Sequence, residues 1–272
     1  MFQFSYDGTN RKILWQEHWR HEFEEALRHD PVVIVPTGSV EQHGPHCPVD
    51  LDISISFYLA VHAAQAVTEF PVLVSPPLWF GLAHYNKGFP GTISLRPETY
   101  LHVLADVCRS IHENGFHRIV VVNGHGGNDA PNRVVRDTLS EEDIFLVAYS
   151  WWQSVEAEMA AWSEADAGSV GHGGEWETSV QLYLRRHLVD ESRINADEFP
   201  NPFSPELRSF ARFAERRRDT RDHTGTMGDA TVASAEKGER IFRLAVERLA
   251  QVVREFHAQP VRHYREFGSH AP

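Results

Sequence analysis

The sequence predicts an α/β fold built on a parallel sheet with helices over both faces. Short, continuously apolar runs recur as "VVIV" at 32–35, "VLVS" at 72–75, "RIVVV" at 118–122 and "IFLVAY" at 144–149, each rich in β-branched residues and too short for a helix. Helix-period segments separate them, and strands that are apolar at every position belong to sheets covered on both sides. No repeat, low-complexity tract or break in composition divides the 272 residues, so 1–272 reads as one domain large enough to bury a core.

The elements follow in order. Trp15, Trp19, Phe23, Ala26 and Leu27 recur at helical spacing, and "HDP" at 29–31 ends that helix. The first strand leads into "GSVEQHGPHCPVDLD" at 38–52, which gathers Glu41, His43, His46, Asp50 and Asp52 among turn-forming residues. Between the second and third strands a helix opens with Pro97, shows Tyr100, Leu104, Val107, Cys108 and Ile111 as its apolar face, and stops at Asn114-Gly115. The third strand runs into "NGHGGND", where His125 sits in a glycine-rich turn before a helix from Ala130. After the fourth strand, "GHGGEWETS" presents His172, Glu175 and Glu177 ahead of the amphipathic run "VQLYLRRHL". The stretch "NADEFPNPFSPE" at 195–206 reads as loop, and Ile241, Leu244, Ala245, Leu249 and Val252 mark a last helix.

Composition excludes several function classes. A net charge of -12 argues against general affinity for nucleic acid or anionic membranes, and the Arg216-Arg217-Arg218 triplet reads as a solvated face. Cys47 and Cys108 lie far apart and form no disulfide framework, which favours a reducing compartment. The opening "MFQFSYDGTNRK" lacks a secretory pattern, and no run approaches the ~18 apolar residues of a membrane span, so the expected location is cytoplasmic.

In such sheets ligands gather at the carboxyl ends of the strands, where the His and carboxylate clusters fall. Glu41 and His43 stand at i, i+2 and project to one side of an extended segment. An Asp, a Glu and His residues crowded there would repel and lose hydration without a cation, which points to metal. The other clusters have plainer readings too: glycines suit a tight turn, and Glu175 and Glu177 suit a helix N-terminus. The "NGHGGN" turn lacks the spacing and the Lys-Ser/Thr of a P-loop. Without cysteine pairs the donors are oxygen and imidazole, as in catalytic zinc, manganese or iron sites. Two ions sharing a carboxylate would generate hydroxide near neutral pH and polarise a carbonyl.

The segments "GSVEQHGPHCPVDLD", "HYNKGFPGTISL", "VNGHGGN" and "GHGGEWETS", in that order, together with the late "GTMGDATVASAEKGERI", resemble the creatininase (creatinine amidohydrolase) family. The resemblance implies a three-layer α/β/α sandwich with a mostly parallel central sheet, two divalent metal ions per chain, hydrolysis of a C–N bond in a small substrate, and a homohexamer. Zinc is the first expectation, with manganese or iron as the alternatives. By motif position Glu41 and His43 bind different ions, Asp52 bridges them, His125 completes the first site, and His172 assists proton transfer. The Trp151-Trp152 pair falls near where creatininase closes a tryptophan over its ligand; core aromatics at a strand end read equally well.

Two departures point to the wider branch of the family rather than to creatininase proper. Gly127 stands where creatininase has a metal-binding glutamate, and Gly171 where it has a glutamate beside the substrate. Glu177, or else Glu175, is expected to fill the first gap. Activities of the wider branch include deformylation of a formamidopyrimidine ribotide, trimming of the mycofactocin precursor peptide and ring opening of a keto-inositol. The expected function is therefore a metal-dependent amidohydrolase of a small polar substrate, with a keto-inositol ring opener, a peptide trimmer or a non-catalytic binding protein as alternatives. A phosphorylated substrate would call for nearby cations, of which the sequence brings only Lys87 near the site; the turns bearing Trp, Tyr and His suggest instead a small, polar, weakly charged ligand.

Overall fold

A computed structural model describes residues 12–165, 171–197 and 223–260. The strands β1 (Val32–Thr37), β2 (Val72–Val74), β3 (Arg118–Asn123) and β4 (Leu146–Ser150) pair in parallel in the order β2-β1-β3-β4. The helices are α1 (Arg20–Leu27), α2 (Leu51–Ala66), α3 (Pro97–Glu113), α4 (Asp129–Ser140), α5 (Glu156–Trp162), α6 (Glu175–Arg185) and α7 (Ala235–His257). A two-residue strand pair, β5 (Ala196–Asp197) with β6 (Gly228–Asp229), stands apart from the sheet.

Alternation along the strands divides the core into two layers. Val32, Ile34, Val120 and Val122 face α2, α6 and α7, where Ile55, Val180 and Ile241 pack against them. Val33, Val35, Ile119 and Val121 face the other way, onto Ala26, Leu104 and Val135 of α1, α3 and α4. Each such side chain, fully buried, contributes about 1.5–3 kcal/mol. The result is the expected sandwich, a parallel sheet between two helical layers.

Three details differ from expectation. Trp15 belongs to a short 3-10 turn and Trp19 is 65% exposed, because Glu22 accepts the Trp19 backbone N–H at 2.7 Å and starts α1 only at Arg20. The fourth strand begins at Leu146, after a turn in which Asp143 takes a φ of 59°. Helix α2 has no counterpart in the periodicity, because it is buried around nearly its whole circumference from Leu51 to Ala64. The Arg216-Arg217-Arg218 triplet and most of the 195–206 loop lie outside the described residues. Among the described residues no helix is long and apolar enough to cross a membrane.

Candidate metal centre

Parallel strands deliver their following loops to one edge, and the candidate ligands meet there. Glu41 and His43 follow β1, His125 follows β3, and Asp52 and Glu177 sit in the first turns of α2 and α6. Both carboxylates thus lie at helix N-termini, where the helix dipole favours negative charge. The chain after β3 passes so close to α2 that a Cβ at Gly124 would stand 2.1 Å from Asp52 O, so only glycine allows His125 to reach Asp52.

Asp52 occupies the middle. Its Oδ1 is 3.0 Å from His43 Nε2 and its Oδ2 is 2.9 Å from His125 Nδ1. Glu41 Oε1 flanks His125 Nδ1 at 2.9 Å, and Glu177 Oε2 flanks His43 Nε2 at 3.7 Å. Glu41 Oε1 and His43 Nε2 are buried and make no hydrogen bond despite these approaches. Buried polar atoms are normally satisfied. Lone pairs that converge without a proton between them in bonding geometry are what a cation requires.

Hydrogen bonds behind the cluster fix each donor. His43 Nδ1–H donates to Glu41 O at 3.1 Å, leaving Nε2 for the cluster; His125 Nε2–H donates to Leu82 O at 3.1 Å, leaving Nδ1. Ser39 Oγ donates to Asp52 Oδ2 at 2.8 Å, and Asn86 Nδ2 donates to Glu41 Oε2 at 2.7 Å. Two overlapping groups can therefore each hold an ion, Glu41–Asp52–His125 and His43–Asp52–Glu177. A third, Glu41–His43–His172, is less suited, because the two imidazoles stack at 4.0 Å and 27° and their lone pairs run in separate planes.

Electrostatics agree with this geometry. Burial alone would depress His43, but Asp52, Glu177 and Glu41 outweigh it and lift it to about 10. His125 is raised well above 6.5 against the effect of burial, chiefly by Glu41. Burial and the neighbouring Asp52 and Glu41 push Glu177 up to about 7, although His43 opposes them. Asp52 is held well below the ordinary carboxylate range by both imidazoles in spite of burial. Protons therefore compete with a cation for the imidazoles.

The structure does not bring Glu175 to the cluster. Its buried carboxylate accepts from Lys237 Nζ at 2.6 Å, from Ser163 Oγ, and from the backbone of Glu164 and Ala165 at 3.1 and 3.2 Å. Two residues along a helix is about half a turn, so Glu175 and Glu177 face opposite sides. His46 and Asp50 also point elsewhere, to Thr178 Oγ1 at 2.8 Å and to Arg185 at 2.8 Å. His172 Nε2–H donates to Gln42 O, which leaves Nδ1 turned toward Glu41 Oε1 at 3.7 Å. Ser39, Asn86 and Gln42 were not singled out by sequence; the one available signal for Asn86 is its place inside "HYNKGFPGT".

The cluster opens into a cavity of about 510 Å³ whose walls include Tyr85, Asp129, Trp151, Trp152, Met159, His172 and Trp176. Among the described lining residues there is no Lys or Arg, and Lys87 is exposed and outside the lining.

A family profile described as creatininase, creatinine amidohydrolase, matches residues 16–253. The mycofactocin precursor peptide peptidase of Mycolicibacterium smegmatis is 33% identical over 231 residues, covering 83% of this chain and 85% of that protein. The creatinine amidohydrolase of Pseudomonas putida is 30% identical over 254 residues, covering 87% of this chain and 94% of that one. Solved creatininase structures, a mutant in its zinc–zinc form and a manganese form, match with TM-score 0.76 and 28% identity over 92% of this chain and 100% of theirs. The chain belongs to the creatininase family. It is accordingly a hydrolase of the amidohydrolase type, acting on C–N bonds.

Gly127, where the resemblance implies a missing glutamate, lies in a tight place. A Cβ there would stand 2.4 Å from Leu82 O and 2.5 Å from His125 Nε2, so any side chain forces the Leu82 carbonyl and the His125 ring to shift. Glu177 instead approaches the open flank of His43 from α6.

Proposed function

We propose that this creatininase-family enzyme is a binuclear-metal amidohydrolase of a small, polar, weakly charged substrate. The observation that carries the reading is Asp52, whose two oxygens face His43 and His125 at 3.0 and 2.9 Å with Glu177 and Glu41 on the outer flanks. Glu41, Asp52 and His125 would hold one divalent ion, and His43, Asp52 and Glu177 the other. Zinc is favoured, with manganese or iron also suited to oxygen and imidazole donors. When bound, such ions polarise a carbonyl and make water acidic near neutral pH.

The remaining work belongs to the chain. Ser39 and Asn86 orient the Asp52 and Glu41 carboxylates, and the Glu41 and Leu82 carbonyls hold each imidazole in the required tautomer. His172, tied through its Nε2–H to Gln42 O, presents the Nδ1 lone pair to the cavity side, where it would take the proton lost by the attacking water and pass it to the departing nitrogen. Trp151 and Trp152 form an apolar wall that limits water. The absence of Lys and Arg from the described lining speaks against a phosphorylated substrate.

A second reading rests on size. A cavity of about 510 Å³ exceeds what a single small ring fills, which favours an amide near the end of a short peptide and accords with the likeness to a peptide peptidase. Homohexamer assembly, one domain over 1–272 and a cytoplasmic location remain part of the proposal. Turnover of cyclic amides, formamides, short peptides and inosose rings separates the substrate classes. His125→Ala is expected to abolish turnover and reduce metal content; full retention of both would sink the assignment.

A further inference from the structure

Glu177, Gln181 and Arg185 stand at i, i+4 and i+8 along α6 and so form one stripe on that helix. All of them reach the segment that carries His43 and Asp52. Glu177 Oε2 lies 3.7 Å from His43 Nε2; Gln181 Nε2 donates to Ser54 Oγ at 2.9 Å. Arg185 closes a fork on both oxygens of Asp50 at 2.8 Å, donates to Ser54 Oγ at 2.7 Å and, through Nε, to Gln181 Oε1 at 3.1 Å. The Arg185 side chain is only 8% exposed.

We infer that Gln181 and Arg185 are positioning residues that hold the His43–Asp52–Glu177 half of the metal centre in register. This rests on the two-metal reading above. That half is the one assembled across α2 and α6, since Glu41, Asp52 and His125 include no residue of α6. Asp52 and Glu177 would reach one ion from two different helix starts, so the separation of those starts decides whether both can bind it. Asp50 directly precedes α2, so the fork from Arg185 ties down the same helix start that carries Asp52. A bidentate guanidinium–carboxylate pair fixes angle as well as distance, which a point charge does not. With Arg185 buried, Asp50 partly so, and the guanidinium also linked to Gln181 and Ser54, the pair belongs to a network rather than standing as an exposed ion pair of little consequence.

The test uses the full chain, stripped with chelator and titrated with Zn²⁺ by calorimetry, then loaded with Mn²⁺ for electron paramagnetic resonance. The parent is expected to bind in two steps and to give the spectrum of an exchange-coupled manganese pair. Arg185→Met and Asp50→Asn should each weaken the His43–Asp52–Glu177 step by about 10–100-fold, weaken the other step far less although Asp52 serves both, and give the spectrum of an isolated ion. A purely structural role would instead lower the melting temperature and weaken both steps alike, which overturns the inference, as would two unchanged steps in both variants. Should Arg185→Met fail to fold, Asp50→Asn decides, since Asp50 is 27% exposed and asparagine keeps its shape. A parent that binds fewer than two ions contradicts the two-metal reading itself, a result separate from either variant outcome.

Discussion

Returning a glutamate to position 127 should damage this enzyme rather than supply a ligand. A Cβ there stands 2.4 Å from Leu82 O and 2.5 Å from His125 Nε2, the acceptor and donor of the bond that fixes the imidazole. Going from 2.4 Å to an ordinary 3.4 Å contact displaces the Leu82 carbonyl by about 1 Å. That residue is not free to swing, because its N–H donates to Asn128 Oδ1 at 3.0 Å, and Asn128 Nδ2 donates in turn to Gly38 O at 2.9 Å. Overpacking of this kind costs about 1–3 kcal/mol. In a domain of roughly this size each kcal/mol lowers Tm by about 2–4 °C. Loss of the Leu82 contact should also weaken the ion at Glu41–Asp52–His125 by about 10–100-fold. Gly127→Glu and Gly127→Ala are thus both expected to melt several degrees below the parent, and Gly127→Glu should not rescue Glu177→Gln. Scanning calorimetry and Zn²⁺ titration read both effects. A Gly127→Glu/Glu177→Gln double variant with parental metal content and turnover would refute this reasoning.

Other outcomes follow from the charged groups. Lys237→Met strands the buried Glu175 carboxylate and should cost roughly 3 kcal/mol while leaving metal content intact; an unchanged denaturant midpoint would contradict it. Despite burial, Lys237, Ser163 and backbone N–H groups hold Glu175 below its ordinary 4.5, so its stabilising contribution is full above that pH and fades as pH falls through the lowered folded value. The Lys237→Met variant, less stable than the parent at neutral pH, should therefore lose less further stability than the parent as pH falls below 4.5. In chelator-treated protein the opposite sign applies to His43: its contribution is complete below 6.5 and is lost as pH rises through about 10. Metal affinity should rise over that same interval, because a cation must displace the imidazole protons. Zn²⁺ titrations at pH 7 in buffers of different ionisation enthalpy should reveal release of roughly two protons per chain; a binding enthalpy independent of buffer would exclude it.

Much of this architecture is legible in the residues. Strands buried on both faces announce themselves as unbroken apolar runs, and Pro97 and Asn114-Gly115 bound α3 as helix signals do. Helix α2 is hidden for the same reason that it matters, since a helix buried all round carries no amphipathic period. Glu41, His43, Asp52 and His125 stand out because charged groups at a sheet edge need a partner. The choice between Glu175 and Glu177 depends on which face of α6 meets α2, and that is set by tertiary packing. One signal was available, the polar stripe Glu177, Gln181 and Arg185 at i, i+4 and i+8 along α6. The close approaches at Gly124 and Gly127 are invisible without coordinates, because a glycine in a turn and a glycine under a carbonyl are written alike.

Metal content per chain, measured on protein purified without chelator and again after Zn²⁺, Mn²⁺ or Fe²⁺ is added back, bears most directly on the two-metal centre. About two ions are expected in the parent, about one in Glu177→Gln, and turnover that chelation abolishes. One ion or none in the parent under every metal offered, or hydrolysis that survives chelation, would contradict the two-metal reading.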